Sequence, residues 1–256
     1  MTEKVAIITG ATAGIGEATA RRFAREGIRV VLAGRRQAQG QQLVDSIRAE
    51  GGEGIFVAAD MLSEADIRAL VDKALEHYGR LDYAVNNAGV PGTAEPLHDF
   101  SNANWEQVIG VNLTGLFLCL KYQVAAMLDS GANSEGGAAI VNIASSLGQR
   151  GSALSNIAYT ASKHGVIGLT RQAAVEYVQR NIRINAVCPG ATRTELLAPL
   201  LAMGPEVEAE LNTINPIGRL IEPDEVAAAA LFLCSAGASG ITGHSLPVEG
   251  GQLAKL

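Results

Sequence analysis

Short apolar runs alternate with longer amphipathic stretches along the chain, and this alternation restricts the fold more than any other feature of the sequence. Several of the runs are nearly continuous in Val, Ile, Leu and Ala, as strands buried on both faces are. Strands that alternate with helices form a parallel sheet through right-handed crossovers. The pattern therefore predicts an α/β fold, a doubly wound parallel sheet with helices on both faces. The predicted strands are Val5–Thr9, Val30–Ala33, Ile55–Ala58, Leu81–Asn86, Ala138–Ile143, Ile182–Val187 and Ser245–Val248.

The first three predicted helices have recognisable ends. The first follows Gly16 and stops near Gly27, a residue type favoured just after a helix. The second ends near Gly51-Gly52. Ser63 opens the third, with Asp66 three residues later in the arrangement of a capping box.

Composition limits the size and the surroundings of the protein. With 256 residues and 48% hydrophobic content, the chain suits a single α/β domain over residues 1–256. No apolar run is long enough to indicate a membrane span, and the first residues lack the pattern of a secretory signal. The net charge of −6 gives no support for nucleic-acid binding. We therefore expect a cytoplasmic protein that binds neither nucleic acid nor a membrane.

The cysteines and histidines give no sign of a metal site. Cys119, Cys188 and Cys234 lie far apart in apolar stretches, without the C-x-x-C spacing of a zinc or dithiol site. Buried thiols are the usual state of such residues. The histidines are not spaced as metal ligands either, so no metal is expected.

A loop-rich segment, residues 191–216, interrupts the alternation between the sixth strand and the last helix. It is either a packed surface excursion or a lid over the carboxyl ends of the strands, where open α/β sheets bind ligands. Long loops in compact domains are usually functional or disordered, which favours the lid. Its large apolar residues are Leu196, Leu197, Leu200, Leu201 and Met203.

A glycine-rich turn, Thr9–Gly16, separates the first strand from the first helix. A diphosphate needs close approach to the backbone and free N–H groups at a helix N-terminus. Gly10 would make the tight turn, Gly14 would allow the approach, and Gly16 would permit close packing of helix on strand. The spacing G-x-x-x-G-x-G is weak evidence alone, but its position between a strand and a helix favours a dinucleotide site over an ordinary turn.

Polar and small residues also close the next strands. Asp60-Met61 ends the third strand, where a carboxylate could accept from an adenine amino group. Asn86–Gly89 ends the fourth, where small residues would let the backbone pass close to a ribose. Asp and Asn-Gly are ordinary turn residues as well. Their coincidence at successive strand ends favours the dinucleotide.

Tyr159 and Lys163 stand four residues apart, and Tyr159 follows Ser145 by fourteen residues. On a helix this spacing puts both side chains on one face. A lysine cation beside a phenol favours the phenolate, which would lower the tyrosine pKa towards neutrality. The pair would otherwise be a buried helix tyrosine and a surface lysine. Beside the glycine turn, it indicates an acid–base unit.

In combination these motifs resemble the short-chain dehydrogenase/reductase family, from about Lys4 to Gly251. The resemblance implies a Rossmann-type fold with seven parallel strands. It also implies hydride transfer between a nicotinamide cofactor and a carbonyl group or secondary alcohol. The residues that carry it are the turn Thr9–Gly16, the Asn86–Gly89 motif, Asn112 within Val111–Gly115, Ser145, Tyr159, Lys163 and Pro189-Gly190 followed by Thr194.

The resemblance further implies roles for four residues. Tyr159 would be the general acid in reduction and the base in oxidation. Lys163 would lower the tyrosine pKa and bind the nicotinamide ribose, while Asn112 would bind water for a proton relay. Ser145 would donate to the substrate oxygen. Ser146 stays an alternative because the usual spacing to the tyrosine is thirteen residues, whereas Gly148 three residues further on selects Ser145.

The residue type after the second strand bears on the choice of cofactor. NAD enzymes usually place a carboxylate here, whereas arginine accommodates the 2′-phosphate of NADP. Gly34 leaves room, and Arg35 resembles the NADP-type residue of the family. Ala13 departs from the pattern, since many NADP-using relatives are basic there. We expect NADP rather than NAD, although Arg35 and Arg36 could simply begin a solvated helix.

The expected cofactor contacts extend from the glycine turn to the end of the sixth strand. They are Gly10, Thr12, Gly14, Ile15, Gly16, Gly34, Arg35, Arg36, Asp60, Met61, Asn87, Ala88, Gly89, Tyr159, Lys163, Pro189, Gly190, Thr192 and Thr194.

The small-molecule substrate is expected to be a neutral, fairly apolar ketone or secondary alcohol. Leu147, Gln149, Ile157 and Thr192 should face it together with the lid leucines. The nearest cations, Arg150 and Arg193, are not obviously aimed at a substrate carboxylate.

Two other functions stay open. A 3-oxoacyl-carrier-protein reductase would want basic residues near the site mouth, yet none lies between Lys121 and Arg150. A non-catalytic dinucleotide-binding regulator would not need the intact Ser–Tyr–Lys–Asn set. The family usually forms tetramers, so a homotetramer is expected, and the short tail Gln252–Leu256 can reach little of a neighbour's site.

Overall fold

The computed structural model describes residues 4–134, 137–153, 155–195 and 197–254. All seven predicted strands are present in it, and their ends differ from the predicted ones by at most two residues. The strands are β1 (Val5–Thr9), β2 (Arg29–Gly34), β3 (Gly54–Ala58), β4 (Tyr83–Asn86), β5 (Ala138–Ile143), β6 (Ile182–Pro189) and β7 (Ser245–Val248).

The strands form one parallel sheet in the order β3-β2-β1-β4-β5-β6-β7. The chain moves outward in one direction from β1 to β3 and in the other from β4 to β7. The edge between β1 and β4 is therefore the switch point, where the carboxyl ends of the strands leave a crevice for ligands. The predicted Rossmann-type, doubly wound sheet is confirmed.

The helices cover both faces of this sheet. Each face of the sheet has its own cluster of buried residues, and successive residues of a strand belong to opposite clusters. On β1, Val5 and Ile7 belong to one cluster, and Ala6 and Ile8 belong to the other. The helices are α1 (Gly14–Arg25), α2 (Gln37–Ala49), α3 (Glu64–Tyr78), α4 (Asn102–Ile109), α5 (Gly115–Asp129), α6 (Ile157–Tyr177), α7 (Ala198–Leu201), α8 (Pro205–Asn212) and α9 (Pro223–Cys234). Helices α3, α5 and α6 pack on one face, and α1, α2 and α9 pack on the other.

The helix ends follow the predicted signals, with two differences. Gly27 takes a φ of 73° after α1 and Gly51 a φ of 88° after α2, a conformation that glycine adopts without strain. Helix α1 starts at Gly14 rather than after Gly16. Ser63 accepts from the backbone N–H of Asp66 as predicted. The Asp66 carboxylate, however, accepts from the Asp60 N–H and the Ser63 hydroxyl, so only half of the capping box forms.

A π-helical turn, Gly110–Thr114, joins α4 to α5 and makes residues 102–129 one continuous helix. By length and composition this helix is apolar enough to cross a membrane, which the sequence had not indicated. Its most apolar window is 50% buried inside the protein, where it packs on α3 and α6. A buried core helix passes the same test, so the helix gives only weak evidence of a membrane.

Buried amides tie the helices of one face to the central strands. Asn86 on β4 and Gln123 on α5 exchange hydrogen bonds of 3.0 and 2.8 Å. Asn86 also donates to Asn142 on β5, and Asn142 donates to the Thr170 hydroxyl on α6. Each of these groups is buried, where an unpaired amide would be costly. The network therefore fixes α5 and α6 against the strands whose ends form the crevice.

The three cysteines are buried and unpaired, as predicted. Among the described residues, no cluster of His, Cys, Asp or Glu could hold a metal ion.

Candidate active site

The glycine turn packs against the end of β4 as closely as backbones allow. Gly10 has a φ of 62°, and a Cβ built there would lie 2.8 Å from the Cα of Ala88. A Cβ at Gly16 would run into the carbonyl oxygen of Gly10. Asn87 fixes this arrangement by donating to the carbonyl oxygens of Thr9 and Gly10 at 3.1 and 3.0 Å. Side chains larger than hydrogen would therefore push the turn off the sheet.

The N-terminus of α1 keeps its backbone donors available. Its N-cap residue, Ala13, makes no side-chain capping bond, so the first N–H groups of the helix lack the partner that a Ser or Asp would supply. Gly14, with a φ of 54°, opens the helix at the same place. An uncapped helix start that opens on a glycine fits a diphosphate.

A cavity of about 730 Å³ runs from this turn along the carboxyl ends of the strands. It brings together most of the site residues predicted from the sequence, from both halves of the sheet. Those that line it are Gly10, Gly14, Ile15, Asn87, Ala88, Gly89, Ser145, Tyr159, Lys163, Pro189, Gly190, Thr192 and Thr194. The remaining predicted residues, Thr12, Gly16, Gly34, Arg35, Arg36, Asp60, Met61 and Asn112, lie outside its wall.

Asp60 and Met61 are placed differently from each other. Asp60 follows β3 and accepts from the N–H of Leu62 at 3.0 Å. Met61 is buried, with its sulfur 3.7 Å from that of Cys119. Its side chain therefore packs in the core, and its contact with a cofactor would have to come from the backbone.

The side chains of Ser145, Tyr159 and Lys163 meet on one wall of the cavity. Ser145 follows β5, and its hydroxyl is close enough to Tyr159 to lower the pKa of that phenol. Asn156 caps α6 by accepting from the N–H of Tyr159 at 2.8 Å. One turn further along α6, Lys163 Nζ lies 5.6 Å from the Tyr159 ring centroid and donates to the carbonyl oxygen of Ile143 at 2.8 Å.

The pKa values of this pair are set mainly by burial. Burial raises the pKa of Tyr159 above its ordinary value, and the smaller effect of the nearby Ser145 hydroxyl lowers it. Burial lowers the pKa of Lys163 to about 8. The sequence had predicted a lowered tyrosine pKa from the nearby cation. In the structure the loss of water around the phenol raises the tyrosine pKa instead, and the ammonium of Lys163 is held on the carbonyl oxygen of Ile143.

Asn112 lies in the π turn between α4 and α5, and its side chain is hydrogen-bonded to two other segments of the chain. Its Oδ1 accepts from the Val90 N–H at 2.8 Å, and its Nδ2 donates to the Val90 carbonyl oxygen and the Ser162 hydroxyl. These bonds tie the segment after β4 to α6. The side chain is thus already engaged and does not line the cavity, so a relay water would have to bind the backbone of the turn.

The two arginines after β2 have different surroundings. Arg36 donates to the hydroxyl and the carbonyl oxygen of Thr12 at 3.1 Å each, and its Nη1 lies 2.9 Å from Oε2 of Glu195. Arg35 is exposed and has no carboxylate partner among the described residues. A Cβ at Gly34 would touch the Thr12 methyl at 3.2 Å, so the glycine lets Thr12 pack against the end of the strand.

Residues 191–216 form a loop that is closed at its base by Asn215. Asn215 accepts from the N–H of Ala191 and donates to its carbonyl oxygen, at 3.2 and 2.9 Å. Leu197 lines the cavity, whereas Met203 is 70% exposed. Leu196 and the side chain of Leu200 lie outside the described residues. The loop therefore presents at least one of the predicted apolar residues to the cavity.

Two of the predicted substrate-facing residues, Leu147 and Thr192, line the cavity, but Gln149 and Ile157 do not. Both lie on the exposed side of their elements, which the spacing from Ser145 and Tyr159 did not reveal. The wall also contains residues that were not predicted. They include Pro91, Gly92, Ile143, Ser152, Ser155, Asn156, Glu195, Ile214 and Gln252.

Only Asn156 among these had a readable signal, as a capping residue three positions before Tyr159. Gln252, in the tail, is buried in the wall of its own chain's cavity. Its Nε2 donates to Asn215 at 2.6 Å, while its Oε1 has no partner among the described residues.

Comparison with known proteins agrees with this geometry. The sequence profile of a family described as Enoyl-(Acyl carrier protein) reductase matches residues 10–252. The chain belongs to the short-chain dehydrogenase/reductase family. It is therefore an oxidoreductase that uses a nicotinamide cofactor and acts on an alcohol or carbonyl group.

Two curated relatives of this short-chain dehydrogenase/reductase share 42% identity with it over 98% of its chain. One is cis-4-hydroxycyclohexanecarboxylate dehydrogenase from Sinomonas cyclohexanicum, of which 97% is covered, and the other is cyclohexanol dehydrogenase from Acinetobacter sp. (strain SE19), of which 96% is covered. Among solved structures, a single-residue variant of actinorhodin polyketide ketoreductase with NADPH is 36% identical with a TM-score of 0.91, covering 98% of this chain and 97% of that one.

Proposed function

We propose that this short-chain dehydrogenase/reductase interconverts a largely apolar, cyclic secondary alcohol and its ketone, with NADP(H) as cofactor. The observation that carries the proposal is the meeting of Ser145, Tyr159 and Lys163 in the wall of the cavity that the glycine turn also lines. The nicotinamide gives or accepts the hydride. The protein's tasks are then to move one proton and to hold the oxygen of the substrate.

Tyr159 is proposed as the proton donor in reduction and the acceptor in oxidation. Because burial raises its pKa, the phenol is protonated near neutral pH and has a proton to give to a carbonyl oxygen. Lys163 uses one of its three donors on Ile143. The other two are available for the phenol oxygen and a ribose hydroxyl, and either contact would favour the phenolate as it forms.

Ser145 rather than Ser146 is proposed as the second donor to the substrate oxygen. Its hydroxyl lies in the cavity wall with Tyr159 and accepts from the N–H of Leu147 at 3.1 Å. The accepted bond orients the hydroxyl and leaves its proton free to point at a substrate oxygen. A donor placed where negative charge develops lowers the barrier.

NADP is proposed because the end of β2 offers a cation and no acid. Arg35 is exposed without a carboxylate partner among the described residues, and Arg36, the next residue, donates a hydrogen bond to the Thr12 hydroxyl. A 2′-phosphate would find a guanidinium there. The remaining predicted cofactor contacts, Asp60 and the backbone of Met61, are proposed to lie at the adenine.

A cyclic, largely apolar substrate is proposed from the cavity wall and from the relatives. Leu147, Ile143, Leu197 and Ile214 line the cavity. The two relatives at 42% identity are both named for cyclohexane-ring alcohols. Residues 191–216 are proposed to be the lid that covers this ring, since Leu197 reaches the cavity from that loop.

The protein is further proposed to work in the cytoplasm as a homotetramer. Three buried, unpaired cysteines suit a reducing compartment. Large apolar side chains are exposed on the helices: Trp105 on α4, Phe117 on α5, Val175 on α6 and Phe232 on α9. Faces of this kind are suited to contacts between copies.

The test is nicotinamide oxidation or reduction, followed by absorbance, with purified protein and a panel of cyclic ketones and alcohols. Each compound is offered with NADP(H) and separately with NAD(H). Turnover of ring compounds, faster with NADP(H), is expected. Cofactor binding without turnover of any compound would instead favour a dinucleotide-binding regulator.

A further inference from the structure

Arg150 stands in the cavity wall with its Nε unpaired among the described residues. It follows the short turn after Ser145 and lines the same cavity as Tyr159. Its Nε is buried, and no described residue accepts a hydrogen bond from it. Leaving a buried donor of a charged group unpaired costs more than leaving a neutral one. Such a group invites an acceptor from the molecule that fills the cavity.

Among the charged residues described in the cavity wall, Arg150 is a cation that has no acidic partner. Lys163 is held on the carbonyl oxygen of Ile143. Glu195 is the carboxylate among the described lining residues, and Arg36 binds it at 2.9 Å. Within the described part of the wall, therefore, no acidic side chain is left to neutralise Arg150.

Two other polar residues that line this cavity, Ser155 and Asn156, already have hydrogen-bond partners. Asn156 donates to the carbonyl oxygen of Pro91 at 2.7 Å and accepts from the N–H of Tyr159. The hydroxyl of Ser155 pairs with that of Thr160 at 3.2 Å. These contacts hold the wall in place but do not satisfy the guanidinium.

We propose that Arg150 binds a carboxylate of the substrate, so that the enzyme acts on ring hydroxy acids and oxo acids. The inference rests on the oxidoreductase function proposed above and names the substrate class within it. A carboxylate matches the planar guanidinium with two parallel hydrogen bonds, and the cavity screens the pair less than water does. The hydroxyls of Ser145 and Tyr159 would hold the reacting oxygen, and Arg150 would fix the opposite end of the ring.

Binding is measured first, with a pair of ligands that cannot react. Cyclohexanecarboxylate and its methyl ester share the ring but differ in charge. Calorimetry with the protein loaded with oxidised cofactor is expected to give at least about tenfold tighter binding for the acid. Arg150→Met should abolish that preference, and Arg150→Lys should keep part of it.

The matched control is Arg68→Met, which removes the same charge from the exposed face of α3, where Arg68 faces Asp72 at 3.7 Å. It should leave the acid preference intact. Cofactor affinity and melting temperature show whether Arg150→Met is folded. If that variant does not fold, Arg150→Gln provides the same measurement.

Turnover of 4-hydroxycyclohexanecarboxylate and its methyl ester then separates the two proposals. Equal binding of acid and ester, binding of neither, or an acid preference that survives the loss of Arg150 overturns the inference about Arg150. If the acid binds through Arg150 but neither compound is turned over, the inference stands and the proposed reaction fails. If both are turned over equally well, the reaction stands and the inference fails.

Discussion

Lys163 holds its ammonium 2.8 Å from the carbonyl oxygen of Ile143, at the end of β5, while the ring centroid of Tyr159 lies 5.6 Å away. The anchor places the cation in the cavity wall before any substrate arrives. Burial of this cation lowers the pKa of Lys163 to about 8. The burial of Lys163 should therefore be measurable as a dependence of the free energy of unfolding on pH.

Lys163→Met should remove a rise in stability between about pH 8 and pH 10. The folded pKa of Lys163 is about 8 against an ordinary 10.5, so above pH 8 the unfolded chain binds more protons than the folded one. The free energy of unfolding then rises with pH, by about 2 kcal/mol over this window. Denaturant unfolding of both proteins across the window measures the difference.

The difference between wild type and variant is what identifies Lys163. Burial raises the pKa values of Cys119 and Cys234 to about 12, which lowers stability as pH rises above 9 in both proteins. Parallel pH profiles for the two proteins would contradict the lowered lysine pKa.

Tyr159→Phe should reduce kcat by at least about 10³-fold while the dissociation constant of the cofactor stays near that of wild type. The variant keeps the ring but loses the hydroxyl proposed to transfer the proton in the cavity. Steady-state kinetics and fluorescence titration with NADPH check both halves. Tyr177→Phe, at the far end of α6, is the control that should retain activity. Turnover retained without the Tyr159 hydroxyl would remove this residue from the mechanism.

Ser145→Ala should lower kcat far more than Ser146→Ala does. Loss of a donor to the developing charge costs about 10²- to 10³-fold, and Ser145 is the one of the two serines whose hydroxyl acts on the pKa of Tyr159. Ser146 is buried beside it in the same wall and serves as the matched control. The opposite order of effects would assign the role to Ser146.

Glu195→Gln should strengthen the binding of NADP⁺ roughly threefold, the size expected for an exposed ion pair. The change releases Arg36 from Glu195 and removes a negative charge that would repel the 2′-phosphate. Binding of NAD⁺, which lacks that phosphate, should not change. Titrations of wild type and variant with both cofactors measure the ratio.

The control for this variant is Glu206→Gln on α8, an exposed position of the same loop. It should alter neither cofactor's affinity. An unchanged ratio in Glu195→Gln would show that Arg36 does not contact the phosphate.

Tyr78→Phe should leave the free energy of unfolding unchanged or raise it by up to about 1 kcal/mol. The Tyr78 hydroxyl is buried without a hydrogen-bond partner among the described residues, and burial raises its pKa to about 12. Tyr122→Phe is the contrast, because the Tyr122 hydroxyl donates to Glu64 at 2.7 Å. Chemical denaturation of the two variants compares them, and a clear loss of stability in Tyr78→Phe would mean that its hydroxyl finds a partner.

The strands and the glycine turn were predictable because their signals are local. A run such as Ala138–Ile143 is apolar throughout but for Asn142, as a strand buried on both faces must largely be. The turn at Gly10 and Gly16 is dictated by contacts that a Cβ would prevent. In these places the residue types in one short stretch of sequence are enough to predict the local structure.

The remaining features depend on groups that meet only after folding. Spacing placed Tyr159 beside Lys163 but did not show how far burial would raise the tyrosine pKa. The partner of Arg36 lies 159 residues further along the chain. The π turn at Gly110–Thr114 has no periodic signal, so the engagement of Asn112 with Val90 was not foreseen.

Helix α1, which carries the glycine turn, packs against α9, and Arg22 binds Asp224 with two hydrogen bonds of 3.1 and 2.7 Å. These partners are 202 residues apart. During synthesis the glycine turn therefore leaves the ribosome long before the helix that supports α1. Until α9 has emerged, the side of α1 that packs on α9 stays exposed, and a chain truncated before Pro223 should depend on chaperones to escape aggregation.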